Sequence, residues 1–299
     1  MTTNTLEYLQ ALEGRCQLSD TEQAQFNQIT KGQEGETLLA IALDNVPDIN
    51  YIADLQLGEK YHETQIDFVV LTPQTIFLIE NKHYQSSYQF TDGHLYSRNH
   101  KRVDNPFLQM HDARECFMHH FPELSHQFKI MSILTFSHPQ FSLRGDLSAQ
   151  GTYFLPNEFH QFKHLFSYGK TPKLLFIKKQ ILSKNTNLEE KYMTVKRRPL
   201  HEVASGIKCP HCKKIILESS TDISSSNYIV CSYCHSSLKK SALIYAALKD
   251  LYLIKGEPIT SREARHWIGD VGISRHSIYT ILKKNFKSKG EKFYLHYFL

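Results

Sequence analysis

The order of patterned segments predicts an α/β fold followed by two small modules. Three features carry this. A helical apolar pattern precedes two strongly apolar strand-like runs, a second helix and further short strands follow, and beyond residue 205 the chain turns cysteine-rich and then basic.

Residues 1–30 read as a helical lead-in. In "QEGETLLAIALDN" the positions of Leu38, Leu39, Ile41 and Ala42 suit one helix face, which predicts a helix from Gly32 to Leu43. "TQIDFVVLTPQTIFLIENKHY", Thr64 to Tyr84, reads as two strands joined by a tight turn. "NPFLQMHDARECFMHHF" is a second amphipathic helix with Pro106 in its first turn. "KIMSILTF" and "GTYFL" are short apolar runs typical of strands, and "PNEFHQFKHLF" supplies a third helix. Helix, strands, helix, strand, strand, helix describes an α/β sandwich over residues 31–182. A polar stretch over 183–205 is the expected linker.

The chain has 299 residues, 41% apolar and 22% charged, the composition of a globular protein. No run approaches the roughly 18 apolar residues of a membrane span, and the N-terminal residues lack the pattern of a signal peptide. A cytoplasmic protein without membrane contact is expected. The net charge of +5 is unevenly placed: from Lys239 onward twelve Lys/Arg stand against five Asp/Glu. A basic tail on a near-neutral body points to a polyanionic partner, with a solvated charged surface as the alternative.

The paired strands carry charges where a core would prefer Val or Ile. With a turn over Thr72–Thr75 and Pro73 inside it, Leu71 faces Ile76, Val69 faces Leu78, Asp67 faces Glu80 and Gln65 faces Lys82. Opposed side chains have Cβ atoms roughly 4.5–5.5 Å apart. Two carboxylates that close repel, and a divalent cation relieves the conflict; paired carboxylate oxygens suit Mg²⁺ or Mn²⁺. Lys82 beside that cation has a reason for a lowered pKa and for orienting or deprotonating a water, which suits attack on a phosphodiester. Against this, Glu-x-Lys is a weak motif that also occurs at Glu189–Lys191, and an ordinary cross-strand charge pair is the alternative.

Four motifs occur in order: "GQEGE" at Gly32–Glu36, "TQIDFVV" at Thr64–Val70, "FLIENKHY" at Phe77–Tyr84 and "NPFLQ" at Asn105–Gln109. Over roughly Thr30 to Phe166 the chain thereby resembles the nuclease-related domain family, a branch of the PD-(D/E)xK nucleases. The resemblance implies a restriction-endonuclease-like αβββαβ core and metal-dependent phosphodiester cleavage. It assigns Asp67 and Glu80 to the metal and Lys82 to the nucleophile, and brings Glu36 to the same site. Gln65 and Gln109 match polar positions of the family that line the pocket. Two positions depart from the pattern: Ile66 stands where a proline is usual, and Asn81 stands at a usually apolar position. Asn81 is expected to find a hydrogen-bond partner and to offer its backbone carbonyl as a further metal ligand.

"CPHCKKIILESSTDISSSNYIVCSYC" places Cys209 and Cys212 eighteen residues before Cys231 and Cys234. C-x₂-C-x₁₈-C-x₂-C has the spacing of a tetrahedral zinc site, so residues 206–237 read as a zinc ribbon whose "KIIL" and "NYIV" form a hairpin. A redox dithiol at Cys209–Cys212 is the alternative, and it leaves the second pair unexplained. Residues 238–299 carry three helical segments, with Ser261 and Ser274 as N-caps, and then a hairpin turning at Gly290. This resembles a winged helix-turn-helix, in which Arg275 and His276 begin the recognition helix and Lys283, Lys284, Lys287 and Lys289 reach phosphates. A basic helical module without nucleic acid is the alternative. The combined expectation is a Mg²⁺-dependent nuclease with structural zinc, acting on double-stranded DNA; the rival is a non-catalytic nucleic-acid-binding protein on a degenerate nuclease fold. Oligomeric state stays open.

Overall fold

The computed structural model describes residues 5–59, 62–145, 147–166, 170–186, 188, 196–216, 227–269, 271–291 and 295–299. The chain divides into two compact units, Gln28–Tyr192 and the pair Met1–Asn27 with Met193–Leu299. The helical lead-in thus joins the C-terminal modules, instead of standing alone ahead of the α/β domain.

In the first unit, helix α2 (Asp20–Asp44, its first turns assigned to the other unit) is followed by β1 (Tyr51–Glu59), β2 (His62–Leu71), β3 (Thr75–Lys82), helix α3 (Pro106–His120), α4 (Pro122–Gln127) and β7 (Lys129–Phe136). This is the αβββαβ order. With β9 (Thr152–Phe154) the strands form one sheet in the order β1-β2-β3-β7-β9. β1, β2 and β3 pair antiparallel, whereas β3–β7 and β7–β9 are parallel. Parallel pairing needs a crossover, and α3 with α4 supplies it.

Period-two alternation splits the core between the two sheet faces. Ile76, Leu78, Val69 and Leu71 pack with Ala113, Cys116 and Phe117 of α3 and with Leu174 and Ile177 of α6 (Pro172–Leu182). Phe77, Ile79, Phe68 and Val70 pack on the other face with Leu39 and Leu43 of α2 and with Phe162 and Phe166 of α5 (Phe162–Phe166). Both faces of the hairpin are covered, which explains its near-continuous apolar sequence. The turn over Thr72–Thr75 forms as expected, closed by Thr72 N–H to Thr75 O at 3.0 Å.

Two features of the sheets went unread in the sequence. β1 is one, its Leu55 and Leu57 fully buried. The other is a second sheet, ordered β6-β5-β4-β8, built from β4 (Ser87–Thr91), β5 (His94–Ser97), β6 (Arg102–Val103) and β8 (Ser142–Arg144). It packs through Tyr84, Tyr88 and Phe90 against Phe136 and Phe141, next to Phe107 and Met110 of α3. "PNEFHQFKHLF" is only partly α-helical: Pro156–Gln161 is a 3₁₀ turn that leads into α5.

In the second unit, α1 (Thr5–Leu12) buries Tyr8, Leu9 and Leu12 in one cluster with helix α7 (Lys240–Lys255), α8 (Ser261–Ile268) and α9 (Arg275–Asn285). Arg15 clamps this unit internally. Its Nε donates to Asp250 Oδ2 at 3.0 Å and its Nη1 to the carbonyls of Ala204 and Gly206, while the guanidinium lies over the Trp267 ring. A small sheet β12-β14-β13 (Ile259–Thr260, His296–Phe298 and Lys287–Lys289) pairs the strand just ahead of α8 with the two that follow α9, with Gly290 at φ 97 after β13. Three helices and this sheet make up the tail of the unit. The cap of α8 differs from expectation: Thr260, not Ser261, is the N-cap, in a reciprocal box with Glu263, whereas Ser274 caps α9 as expected.

Candidate active site at the end of the central strands

The site lies where β3 loses one neighbour. Its ladder with β2 keeps the expected register through Phe68↔Ile79 and then stops, while its ladder with β7 runs on to Lys82↔Phe136. From Glu80 onward β3 therefore presents an open edge towards β2. The Asp67 carboxylate occupies that edge: its Oδ2 accepts the Asn81 backbone N–H at 2.7 Å. In an extended strand the carbonyl of a residue faces the same neighbour as its N–H, so the Asn81 carbonyl opens to this gap too.

A fault in the strands turns Asp67 outward. Ile66 packs on the α3 face together with Val69, although strict alternation would send it to the opposite face with Phe68. On β1 the same break separates Ile52 from Leu55, which share that face. Between them Asp54 takes a left-handed backbone, φ 52, and neither Asp54 nor Asp67 has a partner in the β1–β2 register. Such irregularities re-aim side chains beside functional sites.

Glu80 and Lys82 follow the regular alternation onto the face of Leu78, where α3 lies. Lys82 Nζ is 2.6 Å from Glu80 Oε1 and donates to Gln109 Oε1 of α3 at 2.8 Å. Gln109 stands one turn into α3, whose start is set by Asn105 capping Phe107 N–H and by Pro106. Gln109, expected as a substrate contact, thus meets Lys82. Glu36 comes from α2. That helix crosses β3 closely because residue 35 is glycine: a Cβ there would stand 2.6 Å from His83 Cβ and 2.9 Å from Ser137 Oγ.

The charges are felt at Asp67. Its carboxyl is pushed up from 3.8 to about 8, by burial first and then by the negative charge of Glu80, with Glu36 adding to it; the Asn81 N–H and Lys82 act in the opposite direction. A half-buried carboxyl crowded by a second carboxylate is the donor chemistry that a hard cation neutralises. Asp67, Glu80 and the Asn81 carbonyl fit that role. Among the described residues, Asp67, Glu80 and Glu36 do not form a three-carboxylate cluster, though the Glu36 charge is felt at Asp67.

One expected member is elsewhere. Gln65 pairs with Gln56 in β1, is exposed, and donates to Asp54 Oδ1 at 2.8 Å; it does not face Lys82. The fault at Asp67 accounts for this, because the alternation that linked Gln65 to Asp67 is broken between them. The second Glu-x-Lys copy, Glu189–Lys191, lies outside the described residues.

The sequence reading missed several supporting groups. Thr135 Oγ1, fully buried in the apolar β7, lies 3.2 Å from Glu80 O and 3.1 Å from Asn81 Oδ1, so the Asn81 side chain has its partner. A lone threonine in "KIMSILTF" was the available signal. His83 Nδ1 lies 2.9 Å from Ser137 Oγ, and burial and His138 depress its pKa. The Tyr84 hydroxyl is pushed up to about 12 by burial, then by Tyr88, then by Glu80.

The four cysteines of the other unit form the only group among the described residues with the closeness of a metal site, all four sulfurs within 4.8 Å of one another. Cys209 and Cys234 sulfurs are 3.6 Å apart, as are those of Cys212 and Cys231. Four sulfurs about 2.3 Å from one zinc ion would stand about 3.8 Å apart, so the set fits zinc. Among the described residues, "KIIL" and "NYIV" do not pair with each other. Ile215 pairs with Lys208, and β10 (Tyr228–Val230) pairs with β11 (Ser237–Lys239), so each Cys-x-x-Cys turn has its own short hairpin. Leu217 and residues 218–226 lie outside the described residues. In the tail, Arg275 and His276 open α9, Lys283 and Lys284 close it, and Lys287 and Lys289 lie on β13; all six are exposed.

Comparison with known proteins agrees with this geometry over one segment. Residues 31–137 match the family model described as NERD, nuclease-related domain, while no curated protein and no solved structure matches the chain. The match begins in α2, just ahead of Gly35 and Glu36, spans β2, β3 and α3, and ends at Ser137. The chain therefore carries a nuclease-related domain at residues 31–137.

Proposed function

We propose that this protein is a Mg²⁺- or Mn²⁺-dependent nuclease acting on DNA, delivered to its substrate by the zinc ribbon and the winged-helix-like tail. The observation that carries the reading is the meeting of Asp67 and Glu80 at the open edge of β3, with Lys82 held beside them by Gln109.

Asp67, Glu80 and the Asn81 carbonyl are the residues to hold the cation, with Glu36 contributing charge. Bound there, it would neutralise the carboxylates and supply Lewis acidity to the phosphodiester. Lys82 Nζ is held by Glu80 and Gln109, and from that position its ammonium would orient the attacking water by a hydrogen bond. Thr135 keeps the Glu80–Asn81 backbone in place. In the tail, Lys283, Lys284, Lys287 and Lys289 meet phosphates, and Arg275 and His276 meet the groove.

One observation favours a second reading, a nucleic-acid-binding protein that does not cut. Lys82 is already paired with Glu80 at 2.6 Å, which is a self-satisfied arrangement. The deciding experiment incubates the purified chain with Mg²⁺ or Mn²⁺ and plasmid DNA, single-stranded DNA or RNA. Cleavage that disappears in Asp67→Ala and in Lys82→Ala, with nucleic-acid binding and folding retained, supports the nuclease. Binding without cleavage in the parent protein supports the second reading.

A further inference from the structure

Beside the proposed site the nuclease-related unit holds a cleft of about 1030 Å³ between α2 and the second sheet. Its lining starts with His83 and Tyr84, the residues that follow Lys82, so the cleft opens directly from the end of β3. Three cations converge on it from three separate elements: Lys31 from α2, Arg98 from the β5–β6 turn and Arg144 from the end of β8. No Asp or Glu lines it. Among the described residues none of the three cations is engaged in an ion pair.

The remaining wall is aromatic and polar. Tyr84 and Tyr88 stack with centroids 4.9 Å apart and an interplanar angle of 18°, backed by Phe141 5.6 Å from Tyr88. Tyr96 faces the cleft from β5. Two lining residues, Ser86 at φ 97 and His100 at φ 57, adopt left-handed backbone that ordinary side chains rarely take. Packing alone does not call for three cations around an aromatic wall. A strand of nucleic acid does, because its phosphates need cations and its unpaired bases stack on rings.

We infer that this cleft holds unpaired nucleotides adjoining the scissile phosphate, with Lys31, Arg98 and Arg144 on the backbone and Tyr88 and Tyr96 against bases. This rests on the nuclease reading for its orientation and narrows the substrate to single strands, frayed ends or flaps. The cleft has the volume of a large small-molecule site, at the top of the roughly 300–1,000 Å³ range, and accommodates a few unpaired nucleotides.

The test uses the full chain in EDTA, so that binding is read without cleavage. Fluorescence anisotropy measures the affinity for labelled oligodeoxythymidylate, oligouridylate and a duplex over a salt series. Arg98→Glu/Arg144→Glu is expected to weaken single-strand binding at least tenfold and to lower the salt slope by about 2. Lys283→Glu/Lys284→Glu in the tail is expected to weaken duplex binding and leave the single-strand slope in place. Photo-crosslinks from 4-thiouracil oligonucleotides are expected on peptides that carry Tyr88 or Tyr96. Unchanged single-strand affinity in the cleft variant, or crosslinks confined to the tail, overturns the inference. If the charge reversal impairs folding, Arg98→Gln/Arg144→Gln decides by the same criteria. A protein that binds single strands in the cleft and never cuts with Mg²⁺ refutes the nuclease reading alone; one that cuts while the cleft variant binds normally refutes the cleft alone.

Discussion

Asp67 accepts the Asn81 backbone N–H at 2.7 Å, across a gap where the strands carrying them no longer pair. This one contact substitutes a side-chain acceptor for the β2 backbone, and it places a half-buried carboxyl next to Glu80. Its consequence is a pH-dependent stability. The folded state keeps the Asp67 proton up to about 8, whereas the unfolded chain releases it near 3.8. The folded form therefore binds more protons across that window, and the unfolding free energy falls as pH rises through it. The contribution is whole below about pH 4 and gone above about pH 8. In EDTA, Asp67→Asn is expected to be more stable than the parent at pH 8, with the difference vanishing near pH 4. Urea melts at a series of pH values check this, and parallel curves for the two proteins would refute it. Adding Mg²⁺ at pH 8 is expected to raise the melting temperature of the parent and not of the variant.

Gln109 acts through Lys82. Replacing it with Leu removes an acceptor for a charged donor, a loss of about 1.5–3 kcal/mol in the orientation of that ammonium. Cleavage by Gln109→Leu is expected to slow at least tenfold in kcat with KM nearly unchanged, and Gln109→Glu to recover part of the rate. A variant altered in KM alone would instead make Gln109 a substrate contact.

Zinc removal is expected to unfold the second unit rather than to loosen a surface loop. Cys209 and Cys231 are fully buried in the same cluster as Tyr8, Leu243 and Trp267, so the thiolate cage and the helical core share one set of contacts. Metal analysis of the purified chain is expected to find about one zinc per chain. Chelation, or Cys212→Ser, is expected to abolish the melting transition of this unit while the nuclease-related unit still melts cooperatively. Persistence of both transitions without zinc would refute this.

Arg15 predicts a role for the N-terminal segment. Its side chain is fully buried, and burial depresses its pKa against the favourable pull of Asp250. Removing one partner of a buried pair costs about 3–5 kcal/mol. Arg15→Ala is expected to lower the stability of the second unit by that order, read from chemical denaturation, and to leave cleavage of short oligonucleotides by the other unit unaffected. Arg15→Met, combined with Asp250→Leu, is expected to recover most of the loss.

Much of the nuclease-related unit was legible because its signals are local. A four-residue turn containing Pro73 sets the pairing of Leu71 with Ile76, and period two then propagates it to Phe68 and Ile79. The meeting of the four cysteines followed from spacing alone, since a Cys-x-x-Cys turn points both sulfurs one way whatever surrounds it. Likewise, Ser274 was readable as a helix start because a cap satisfies its own neighbouring N–H groups.

Tertiary structure alone decided where those patterns end. Strand alternation carries no mark of its interruption, so the fault opposite Asp54 that turns Asp67 to the open edge and Gln65 away was invisible in "TQIDFVV". The strands of the second sheet run from two to five residues, too short for a period to emerge, and with them the basic cleft stayed hidden. The destination of α1 was equally unreadable: an apolar helix face declares that it needs a partner, and only the folded chain supplies Leu243 and Ile244, more than two hundred residues on, to cover it.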